Sequence, residues 1–194
     1  MKIKHLLLLT VIISATPIRS LSDNEPQYVG VKKCQICHAT PEIGDQYGIW
    51  KLSKHAQAFA TLLSEESLKI AKERGLTVLP HEAPECLECH VTGYGADDSK
   101  FESPQVMELG IQCESCHGPG SEYKKISIML DREQSLANGL IIPTEETCIK
   151  CHNERSPRYK SFHFEDFVKK IDHKVPEGYS WEEDDDEDED EELW

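Results

Sequence analysis

Apolar residues recur at helical spacing in three places along this chain, and nowhere alternate as a strand of useful length. Ile49, Leu52, Ala56, Phe59, Ala60 and Leu63 predict the longest helix, from Asp45 to Leu63, with His55 at the edge of its stripe. Ser64 is placed to cap a second helix, Glu65 to Arg74, which Gly75 would end ahead of Pro80 and Pro84. Phe164, Phe167, Val168 and Ile171 share one face of a third, Phe164 to Asp172, bracketed by His163 and His173. Between them, Thr92-Gly93-Tyr94-Gly95 and Gly118-Pro119-Gly120 read as turns. The expected fold class is therefore mainly α, with little or no β-sheet.

The first residues follow a different pattern. Lys2 and Lys4 precede an apolar run, Leu6 to Ala15, that is too short to cross a bilayer and has the form of a secretory signal. Small residues between Thr16 and Ser22 mark the expected cleavage zone, so residues 1–22 are assigned to the signal and the mature protein to an exported, periplasmic setting. No later apolar run approaches the roughly 20 residues of a spanning helix, and no cysteine precedes Cys34 to carry a lipid, so no stable membrane insertion is expected.

Charge separates a third region. Loss of Lys2, Lys4 and Arg19 with the signal takes the net charge from -15 to -18, and the 11 unbroken acids from Glu182 to Glu192 account for most of it. Such a block repels itself and buries nothing, so residues 176–194 are expected to be a disordered acidic tail that docks on a basic partner or simply aids solubility. Residues 23–175 remain as one domain, and nothing points to a nucleic-acid partner.

Hydrophobic residues make up only 38% of the chain, which is thin for a core built of side chains alone. The cysteines show what supplements it. All 8 fall in C-x-x-C-H: Cys34, Cys37 and His38; Cys86, Cys89 and His90; Cys113, Cys116 and His117; Cys148, Cys151 and His152. Two thiols at this spacing can each add to a haem vinyl group while the next residue's imidazole reaches the iron. Zinc bound by pairs of C-x-x-C would use the thiols and leave the histidines unexplained, as would disulfides. With 9 histidines in 194 residues, four chance placements directly after the pairs have a probability of roughly five in a million. Four covalently bound haem c groups are expected, forming most of the core.

Beyond the motif histidines and His5, the chain has His55, His81, His163 and His173, enough by count for a second imidazole on each iron. The count does not show that each iron has one. Two strong axial ligands leave an iron to exchange electrons only, whereas an open face can bind a small molecule. His55 and His173 are the stronger candidates, His81 and His163 the weaker, and Met107 and Met129 fit packing better than ligation.

Tyr28-Val29-Gly30, Ser53-Lys54-His55-Ala56, Cys86 to Gly95 and the block Cys113-Glu114-Ser115-Cys116-His117-Gly118-Pro119-Gly120 resemble the tetrahaem cytochrome c-554 family over roughly residues 28 to 173. The resemblance implies a mainly helical fold with haems in close stacked pairs. It also implies proximal ligation by His38, His90, His117 and His152, with His55 reaching the third haem, His173 completing the fourth and the second haem open. One departure stands out. The family's partner for the first haem follows C-H-G-P-G, where this chain has Ser121-Glu122-Tyr123-Lys124-Lys125, leaving an open iron, Tyr123, His81 or His163 as alternatives.

The leading functional expectation is an electron carrier between redox partner proteins. An oxidoreductase acting on a small nitrogen or oxygen species, such as a nitrogen oxide or hydroxylamine, at an open haem is the second. A subunit of a larger haem assembly, with a neighbouring chain supplying the missing ligand, is the third.

Overall fold

The computed structural model describes residues 25–104 and 106–179; the expected signal and the acidic block lie outside the described residues. Ten short α-helices run in chain order: α1 Val31–His38, α2 Gln46–Leu52, α3 Ala58–Thr61, α4 Glu65–Glu73, α5 Pro84–His90, α6 Glu114–His117, α7 Ile126–Met129, α8 Arg132–Ala137, α9 Glu145–Ile149 and α10 Phe164–Val168. Among the described residues there is no strand, only an isolated bridge between Tyr28 and Phe101, whose rings stack at 5.1 Å.

Local signals set α4 as expected. The Ser64 hydroxyl accepts from Ser67 N at 3.2 Å, and Gly75, at φ 71°, receives the chain as the helix ends. The stretch expected as one helix over 45–63 is instead broken in the middle. α2 ends at Ser53, which is extended at ψ 162°, and a turn carries His55 before α3 begins. The cause is tertiary. The Trp50 indole donates to the Ile111 carbonyl at 2.7 Å, and Ile111 N donates to the His55 carbonyl at 3.0 Å, which in an unbroken helix would serve the residue four positions on. The break also rotates the stripe, so Leu62 is buried whereas Leu52 and Leu63 are 85% and 57% exposed. The last helix is likewise shorter than expected, with turns from Lys169 to Ile171 in place of its final turn.

Only a small core is made of side chains. Its cluster is Phe59, Leu62, Leu87 and Val91, joined by Cys86 and Met107, which places Met107 in packing. More of the molecule is held by polar staples. The buried Glu114 carboxylate accepts three backbone N–H groups: Val29 at 2.9 Å, Gly30 at 2.8 Å and Gly120 at 2.8 Å. Gln112 accepts from Val31 N at 2.8 Å, and Ser121 exchanges two bonds with Gln27. The segment entering α1 is thereby bound to both sides of α6. Thr92 joins in from the end of α5, its hydroxyl accepting from Gln112 N at 2.7 Å.

Candidate haem sites

Each C-x-x-C-H lies at the end of a helical turn. α1, α5 and α6 end on His38, His90 and His117, and Cys148 sits in α9 with His152 just beyond it. A single helical turn puts both thiols and the imidazole on adjoining positions, which is the arrangement that haem attachment demands.

The imidazoles are pre-oriented. His90 Nδ1 lies 2.6 Å from the Ala58 carbonyl and His117 Nδ1 3.0 Å from the Ile141 carbonyl. A carbonyl only accepts, so Nδ1 carries the proton and Nε2 keeps the lone pair a metal needs. His173 has the same relation to the Ile171 carbonyl at 2.5 Å, and His38 to Gln46 Oε1 at 3.3 Å, with the Gln46 amide nitrogen anchored on Ile43. Such outer partners fix ring and tautomer around metal ligands. Burial holds the His55, His117 and His152 pKa values below the usual histidine value, with the neighbouring His152 adding to the effect at His55, and so favours the neutral, ligating form.

Two motif histidines face a second imidazole. His55 and His152 have ring centroids 5.9 Å apart, His117 and His173 6.0 Å. Imidazoles on opposite sides of one metal, each bonded at about 2.0 Å, have centres about 6 Å apart, so both pairs fit axial ligation of one iron. The pairing is crossed relative to expectation, with His55 opposite the fourth motif rather than the third and His173 opposite the third rather than the fourth. The break after α2 aims His55 this way, helped by Gly110, where a Cβ would meet the His55 carbonyl at 2.7 Å.

The remaining candidates are not brought to a motif histidine. His81 lies edge-on to Phe59 at 6.5 Å, and His163 is exposed before α10. Tyr123 does not fit as a ligand for the first iron. Its hydroxyl donates to the Gly118 carbonyl at 2.7 Å, and burial, with the negative charge of neighbouring groups, pushes its pKa up, opposing the phenolate that iron binding requires. Among the described residues, neither His38 nor His90 has a ring contact with another histidine.

The thiols approach one another in pairs from different motifs. Cys34 and Cys113 lie close enough to interact, as do Cys89 and Cys151, while Cys116 lies within electrostatic reach of Cys148. All eight are free, and among the described residues no group of three or more His, Cys, Asp or Glu is arranged to hold a single metal ion. The donor set, the oriented Nε2 atoms and the small side-chain core all fit covalent haem. Apolar side chains exposed near the motifs, Ile36, Ile141, Ile142 and Ile149, supply faces for a large flat macrocycle to cover.

Sequence reasoning missed Glu114, Gln112, Thr92 and Trp50, which position the motifs. The signal that could have found the first was an acid inside C-x-x-C followed by Gly-Pro-Gly, a segment with backbone N–H groups to satisfy.

Helical fold and motif geometry together define a small c-type cytochrome that binds haem c covalently. The family described as cytochrome c554 and c-prime matches residues 33–118, which include the first three motifs. Cytochrome c-554 of Nitrosomonas europaea is 29% identical, over 75% of this chain and 66% of its own length, just under two thirds. The structure of reduced cytochrome c554 from the same organism superposes with a TM-score of 0.56 at 25% identity, covering 78% of this chain and 86% of that one. Over residues 33–118, and more loosely over three quarters of its length, the chain is similar to the cytochrome c-554 family.

Proposed function

We propose that this is an exported tetrahaem cytochrome that passes electrons between two redox proteins along haems ordered first, third, fourth, second. The observation that carries the reading is that thiols of different motifs lie within interaction range, Cys34 of Cys113, Cys116 of Cys148, and Cys151 of Cys89, a series that supports this order. Haem supplies an iron that takes up and gives up one electron without making or breaking a bond to substrate. A reduced donor therefore loses one electron, an oxidised acceptor gains one, and no proton or leaving group is required. The protein's part is to hold the attachment points at neighbouring positions and keep the imidazoles neutral and oriented. Export rests on the charge-then-apolar form of residues 2–15, and the similarity to cytochrome c-554 supports the cytochrome class.

One observation favours a second reading. His38 and His90 lack an opposing imidazole among the described residues, so one or both of their irons would be open to a small ligand, where an oxidoreductase reaction could take place. A single preparation tests both. Pyridine haemochrome quantification is expected to give four haems per chain, and two would overturn the tetrahaem reading. Carbon monoxide binding to the reduced protein is expected at one or two irons; none would remove the enzymatic reading and leave a dedicated carrier.

A further inference from the structure

Lysines are partnered very unevenly over this molecule. Lys69, Lys100, Lys124, Lys125, Lys169 and Lys174 each have a carboxylate partner. Eight exposed lysines have no ion-pair partner among the described residues, Lys72, Lys150, Lys160 and Lys170 singly and Lys32, Lys33, Lys51 and Lys54 as a group. The group lies on or just beyond α1 and α2, two helices that pack together. The C-terminal segment returns to the same place. The Lys174 carbonyl sits so close to Gly44, in the link between α1 and α2, that a Cβ there would come within 2.4 Å of it. The described chain ends five residues later, at Tyr179, and Glu182 opens the run of 11 acids. Eight residues separate Lys174 from Glu182, a reach of at most roughly 27 Å, so the acids are tethered to the α1–α2 side at high effective concentration. Residues 65–146 repel them, since they carry sixteen carboxylates against seven lysines and arginines.

We propose that the acidic block 182–192 docks on the lysine face of α1 and α2 in its own chain, screening the first C-x-x-C-H motif, which α1 carries. A redox partner that approaches this motif must displace the block before its surface meets the lysines. The proposal does not depend on how many haems are bound or on their order.

The test is zero-length carbodiimide cross-linking of the full-length, haem-loaded protein, mixed as equal parts of isotopically light and heavy chains. At about 10 mM salt, where the Debye length is about 30 Å, acids 182–192 are expected to cross-link to Lys32, Lys33, Lys51 and Lys54 severalfold more often than to the exposed Lys72, Lys150 and Lys160. At about 1 M salt, where it is about 3 Å, these links are expected to vanish. Lys51→Glu is expected to lower the yield at the remaining three lysines at low salt. Links spread evenly over all lysines, no links, links that survive high salt, or an unchanged yield in Lys51→Glu each overturn the proposal. Links joining light to heavy chains overturn it too, since they make a second copy the occupant.

Discussion

The first and third motifs are bound together from within, the second and fourth from without. Glu114, almost wholly buried, gathers three backbone N–H groups from both flanks of the first pair, and Gln112 adds a fourth. Across the second pair, the chief polar link is the ion pair of Glu88 with Arg155, 2.9 Å long, whose side chains are 54% and 60% exposed. The histidines show no such contrast, for among the described residues each pair contains one motif histidine with a second imidazole about 6 Å away and one without. The physics differs accordingly. A buried carboxylate is costly to lose because its donors are orphaned away from water, whereas an exposed ion pair gives way to solvent at little cost. One half of the protein is a fixed frame and the other is adjustable.

The sharpest break of that contrast is Glu114→Ala. It leaves three N–H groups without an acceptor, at a cost of about 3 kcal/mol or more, so Tm is expected to fall by about 6–12 °C in thermal unfolding monitored by circular dichroism. Gln112→Ala removes one bond to the same segment and is expected to cost about 1 kcal/mol, read in the same melt.

Ligation is sharpened by His55→Ala and His173→Ala. Each is expected to add one haem to the carbon monoxide stoichiometry of the reduced protein, the first at the fourth motif and the second at the third. No increase in either variant would refute the crossed pairing.

Acid affects both halves through their histidines. The folded pKa values of His55, His117 and His152 are lowered, so below the unfolded value of about 6.5 the unfolded chain takes up protons first. Stability is therefore complete above about pH 6.5 and declines as pH falls below it, and the denaturant midpoint is expected to follow, flat from pH 7 to 8 and dropping toward pH 5. The smallest effect belongs to Arg155→Ala, expected to cost less than about 1 kcal/mol and to lose even that in high salt.

Much of this was legible along the chain because it is written in local chemistry. C-x-x-C-H is a covalent requirement satisfied within five residues, α4 begins and ends on Ser64 and Gly75, and the lack of alternating segments foretold the lack of strands. The helix expected over 45–63 failed because periodicity sees apolar spacing and not the pull of Ile111, 56 residues beyond His55, on its carbonyl. Tyr123 read as a possible iron ligand until its hydroxyl was seen to be spent on Gly118. The structural part played by Glu114 was not legible, because its three donors come from segments up to 85 residues away.

By itself, then, the sequence determined how haem is attached, since two thiols and an imidazole act within one turn, and it determined the helical class, since spacing of apolar residues is also local. Only the tertiary structure decided which motifs are neighbours, which histidine faces which, and which of two similar pairs has the rigid frame. Those depend on bonds between residues tens of positions apart, and their energies are set by burial, which no local pattern records.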